Sequence, residues 1–168
     1  MENNLAEQNI QERPLGVVGL GGWMVLVQIG IYGSLLLLLV QIYNYSIPSV
    51  SPEIWKNVTS KTSELYHPLW GALIIFELAF NVLFFLYTII ILINLYQKKL
   101  ILPKLMIIYY STSLVVGIID YLLVLQIPMA SEMQDAGQLK DIFRSIVTCL
   151  IWIPYFVKSE RVKNTFVR

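Results

Sequence analysis

Four long apolar stretches, at about residues 21–43, 69–95, 105–127 and 142–157, constrain this chain more than any other feature. A bilayer core about 30 Å thick takes ~20 apolar residues of helix to cross. Each stretch is too long for a strand, and runs such as Leu35 to Val40 and Ile89 to Ile93 are apolar on every side. A β-barrel would alternate apolar and polar residues in ~10-residue segments. The pattern therefore predicts an all-α integral membrane protein, a four-helix bundle forming one domain over residues 1–168, with loops at 44–68 and 128–141. Composition agrees: 57% of residues are hydrophobic and 14% charged, against roughly 45–50% and ~25% in soluble domains. Four crossings leave too little chain for a soluble catalytic domain.

Lysine and arginine predict the orientation, since they concentrate in cytoplasmic segments. Lys98, Lys99 and Lys104 flank the short connection between the second and third stretches, and Lys158, Arg161, Lys163 and Arg168 lie in the tail. With an even number of spans Arg13 joins them, so eight of the twelve basic residues face the cytoplasm together with both termini. The loops at 44–68 and 128–141 then face outward. The first stretch reads as an uncleaved helix, because an acidic arm precedes it and no small-residue cleavage site follows before Pro48. Asn57-Val58-Thr59 is a formal glycosylation sequon, meaningful only in a secretory eukaryotic setting.

Ionisable residues inside spans cost about 2.5–3.5 kcal/mol at the membrane centre and mark sites for examination. Glu77, Asp120 and Arg144 are three such residues. At 1.5 Å per residue, Glu77 and Asp120 each lie roughly 12 Å from the outer end of their stretch, and Arg144 starts the fourth. At 100° per residue, Glu77 shares a stripe with Asn81 and Thr88, Asp120 with Tyr109 and Ser113, and Arg144 with Thr148 and Tyr155. Two readings follow. Arg144 bridges the two acids as a structural clamp, or two acids sharing one arginine leave a carboxylate that binds or relays a proton or cation. In the first span Gly19, Gly22, Gly30 and Gly33 align as a small-residue face suited to close helix packing, with Gln28 as its one strongly polar mid-span residue.

Other motifs exclude more than they suggest. Gly19-Leu20-Gly21-Gly22-Trp23 lacks the lysine and the preceding strand of a phosphate loop. His67 is the only histidine and Cys149 the only cysteine, which excludes an intramolecular disulfide and a zinc site built on several such ligands within one chain. Ser111, Ser113 and Ser145 have no histidine base in their spans. No cofactor, metal or nucleic-acid partner is expected, and the chain reads as a non-enzyme. Pro154 inside the last span predicts a kink. The basic tail, with its apolar residues, is expected to lie on anionic lipid headgroups at the cytoplasmic face.

Two end motifs carry a resemblance. Gly19-Leu20-Gly21-Gly22-Trp23, and the closing Trp152, Pro154, Tyr155 and Phe156 followed by Ser159, Arg161, Lys163 and Phe166, resemble a bacterial domain-of-unknown-function family of small four-span inner-membrane proteins, the YdgK-like proteins. The resemblance covers about residues 14–166 and implies the bacterial cytoplasmic membrane and a multi-pass topology, without a mechanism. The expected function is a non-enzymatic accessory or interaction subunit, contacting lipid and a membrane-protein partner or a second copy of itself. The alternative is a small proton- or ion-coupled transporter using the Glu77, Asp120 and Arg144 layer.

Overall fold

A computed structural model describes residues 17–132 and 137–167. Arg13 and Arg168, part of the charge argument, lie outside the described residues. The described chain is helical, without a strand. Its elements are α1 (Trp23–Gln41), a π-helical turn (Ile42–Ser46), α2 (Ile47–Ser49), α3 (Pro52–Thr59), α4 (Pro68–Tyr96), α5 (Leu102–Val124), α6 (Pro128–Glu132), α7 (Gly137–Lys158) and α8 (Glu160–Thr165).

The helix boundaries follow from local chemistry. His67 caps α4, its Nδ1 accepting the Leu69 N–H at 3.3 Å, and Pro68 follows where a missing N–H costs nothing. The first apolar helix does not stop near Tyr43. It continues through the π turn and α2 to Ser49, a stretch of 27 residues. The change of register falls just ahead of Pro48, which has no N–H with which to continue the α-helical ladder. At the α4–α5 turn Lys98 takes a left-handed φ of 53°, and Pro103 sits in the first turn of α5.

Three helices, Trp23–Ser49, Pro68–Tyr96 and Leu102–Val124, are long and apolar enough to cross a membrane, as in a multi-pass membrane protein. The fourth expected span lies within α7, but Lys140, Asp141, Arg144 and Lys158 break its apolar length. The helix continues through Pro154 to Lys158.

The extensive helix contacts run α1 to α4, α4 to α5 and α5 to α7. Because lipid chains are as apolar as leucine, tight packing rather than water exclusion selects these faces. On α4 the packed stripe runs through Asn81, Phe84, Thr88, Ile91 and Leu95, all buried. On α5 it takes in Leu102, Met106, Tyr109 and Val124. Phe84, Ile91 and Leu95 of α4 and Leu102, Met106 and Tyr109 of α5 meet Met24, Val27 and Ile31 of α1, Phe156 of α7, and Val162 and Phe166 of the tail in one continuous core. Leu73, Val124 and Ile127 form a smaller cluster at the opposite end. The outer faces stay apolar and exposed, with Leu37, Leu83 and Leu150 each about two-thirds accessible.

The two ends of the chain meet. The Gly19 N–H donates to Thr165 Oγ1 at 2.8 Å, and Trp23 meets Trp152 edge-on at 6.5 Å. Ser159 caps α8 by accepting the Val162 N–H. The Arg161 guanidinium lies over the glycine loop: a Cβ on Gly22 would sit 3.2 Å from Arg161 Cζ, and one on Gly21 3.3 Å from an Arg161 nitrogen. Within the tail Val162 and Phe166 are buried in the protein core, while Lys158, Lys163 and Val167 are exposed.

Candidate functional site

Helix-hairpin arithmetic brings Glu77 and Asp120 together. Counting along the helices from the α4–α5 turn at 1.5 Å per residue, Glu77 lies about 28 Å from Tyr96 and Asp120 about 27 Å from Leu102. Both sit on the stripe by which their helices pack, Glu77 one turn beyond Asn81 and Asp120 two turns beyond Ser113. Antiparallel helices with acids at equal height on facing stripes place the carboxyl groups side by side. The two side chains are within hydrogen-bonding reach of each other. Asp120 Oδ1 is buried and has no hydrogen-bond partner among the described residues. Two ionised carboxylates repel at such range, so a proton or a cation between them satisfies both.

The pair borders a cleft of about 510 Å³ between α1, α4 and α5. Asn81 and Ser113, both expected from the polar stripes, line it. Asn81 is nearly fully buried and donates from Nδ2 to Ser46 Oγ at 3.1 Å, tying the π turn of the first helix to α4. Gln41 and Tyr45 line the cleft from that same segment, and Gln138 reaches it from α7. A second hollow, of about 420 Å³, continues past Asp120 and Gly117 toward Asp141 and Ser145. Sequence reading missed Gln41, Tyr45 and Ser46 because it placed the last two in a loop. The available signal was Gln41, a polar residue one helical turn before Tyr45.

Arg144 does not join the acids, so the clamp is overturned. Its side chain is 73% exposed and its ion pair, at 3.9 Å, is with Asp141 on the same helix. The face that α7 presents to α5 runs through Ile142, Ser145, Cys149, Trp152 and Phe156, with Cys149 Sγ donating to the Tyr110 carbonyl at 3.3 Å. Arg144 is about 100° away from Ser145 on the helix. Thr148 also turns from the site, its hydroxyl donating to the Arg144 carbonyl at 2.8 Å. Thr88 is buried but satisfied within α4 by the Phe84 carbonyl. Gln28 donates to the carbonyls of Leu20 and Met24, which makes it a brace at the start of α1.

The glycine face is corrected as well. Gly19 and Gly22 precede α1 and adopt φ of 98° and 60°; their place is the docking site for the tail. Gly30 and Gly33 lie on α1 with open space where a Cβ would be, so no described helix packs on them.

A family model described as a protein of unknown function (DUF2569) matches residues 17–167, and the chain belongs to that family. No curated protein and no solved structure matches.

Proposed function

Taking that membership as the premise, we propose that the chain is a non-enzymatic, proton- or ion-coupled carrier of the bacterial cytoplasmic membrane, related to the YdgK-like proteins, with Glu77 and Asp120 as its coupling site. One observation carries this reading: two acids meet inside the apolar hairpin beside an open cleft, with no basic side chain among the described residues holding them. A structural ion pair would satisfy its charges and close the space. An acid pair facing a cleft instead binds and releases a positive charge.

The carrier crosses the membrane four times, with both termini in the cytoplasm. The Gly19–Thr165 hydrogen bond supports this, because it returns the end of α7 to the level at which α1 begins. Dicyclohexylcarbodiimide, which couples to protonated carboxyl groups shielded from water, is expected to modify Glu77 or Asp120 in the native protein. Mass spectrometry locates the adduct. An unmodified pair under conditions that label a control membrane carboxyl would sink the reading.

A second reading, an accessory subunit that binds another membrane protein or a second copy of itself, is favoured by Gly30 and Gly33. These small residues face open space on a lipid-exposed helix, the surface against which a foreign helix packs closely. The exposed Lys98, Lys99 and Lys163 would then rest against anionic headgroups at the cytoplasmic face.

A further inference from the structure

The cleft is larger and more aromatic than a proton or a bare inorganic ion requires. Its volume of about 510 Å³ falls within the roughly 300–1,000 Å³ of small-molecule sites. The rings of Phe76, Phe80, Phe84 and Tyr109 border it in sequence, with centroid separations of 6.5, 4.9 and 4.5 Å. Stacked on one another, these rings give the cleft an apolar wall suited to the apolar part of an organic ligand. The same space contains Glu77 and Asp120, with the buried Asp120 Oδ1 lacking a donor from the described chain. A carboxylate oxygen withdrawn from water and left without a donor is completed by a ligand's N–H or positive charge.

The donor set disfavours a metal. Among the described residues no group of three His, Cys, Asp or Glu side chains converges, whereas calcium takes 6–8 oxygen ligands and magnesium requires a near-ideal octahedron. An organic cation needs only charge compensation and an apolar enclosure, and both are here. Hydroxyl and amide groups from Ser113, Gln41 and Asn81 add polar contacts at the margin.

We propose that this cleft binds a monovalent organic cation, an aryl- or alkyl-substituted amine or quaternary ammonium, with the acid pair neutralising its charge and the Phe80–Phe84–Tyr109 wall covering its apolar part. The proposal rests on the reading of Glu77 and Asp120 as the charge-binding site and names the ligand class of that site.

The test uses the full chain in lipid nanodiscs and ethidium, an aromatic monovalent cation whose fluorescence rises as water leaves its surroundings. Saturable binding is expected. It should weaken about 30-fold in Glu77→Gln/Asp120→Asn, as for a desolvated charge pair, and about threefold in Phe80→Leu, as for a lost aromatic contact. Sodium and magnesium chloride at equal ionic strength should not displace it. In parallel, ethidium should protect the acids from dicyclohexylcarbodiimide. Ethidium signal no greater than in empty nanodiscs, equal binding by all variants, or displacement by sodium or magnesium overturns the proposal. If the carbodiimide still labels the acids while ethidium fails to bind, the ligand class is wrong and the coupling site stands; if neither occurs, both fall. Variants that remain monodisperse on size exclusion exclude misfolding as the cause.

Discussion

At the scale of single residues, the glycine loop before α1 is where backbone and side-chain constraints coincide. Gly22 has φ 60° and ψ −134°, a region that residues with a Cβ rarely enter. A Cβ there would also press on the Arg161 guanidinium at 3.2 Å. Gly22→Ala is therefore expected to destabilise the protein by about 1–3 kcal/mol, the usual cost of a residue held in a sparse backbone region. Thermal or denaturant unfolding in detergent measures it. Truncating Arg161 removes the contact but not the backbone strain, so Gly22→Ala/Arg161→Ala should recover only part of the loss. Full recovery would show that the strain argument is wrong.

At the scale of helices, periodicity distinguished the inward faces of α4 and α5 but not that of α7. On α4 and α5 the polar positions extend an apolar stripe that packs on a neighbour, so polarity and burial agree. On α7 the same rule selects Arg144, Thr148 and Tyr155; Tyr155 does pack against the core, but Arg144 is exposed and the face toward α5 runs through Ile142, Ser145, Cys149, Trp152 and Phe156. The reason is physical: near a span end a long charged side chain reaches water without turning inward, so its position reports depth more than facing. Arg144 consequently has no partner role toward Glu77 or Asp120. Arg144→Gln is expected to leave stability within about 0.5 kcal/mol of the parent, as for an exposed ion pair. It should also leave carbodiimide modification of the acids unchanged. A large loss of either in this variant would restore the clamp.

At the scale of the whole molecule, a tightly packed half at the tail end grades into an open half around the acid pair. Met24, Ile91, Leu95, Leu102 and Met106 are wholly buried in the first, while the cleft occupies the second. The union of the Gly19 loop with the tail ties the first and last long helices at one level, and the proposed four-span topology puts the end of α7 on the side from which α1 starts. Labelling with a membrane-impermeant maleimide tests this, with Ser60→Cys, Lys99→Cys and Lys163→Cys each placed in a Cys149→Ala background. Ser60→Cys should react in intact cells, and the other two only after lysis. Reaction of Lys163→Cys before lysis would mean that α7 does not cross.

Much of this architecture was legible along the chain. Helical character, three spanning segments and the inward stripes of α4 and α5 are local properties, because hydrocarbon demands that each segment satisfy its own backbone and because 3.6-residue periodicity fixes which side chains share a face. The resemblance carried by the two end motifs was legible too, and the family match covers both. Contact between those ends was not, since residues 146 apart in sequence meet through Gly19 and Thr165 and no local pattern encodes that distance. The fate of the three intramembrane charges was also a tertiary decision. Depth put them in one layer, but only the rotation of α7 about its axis, determined by packing against α5, turned Arg144 outward and left Glu77 and Asp120 side by side at the edge of the cleft.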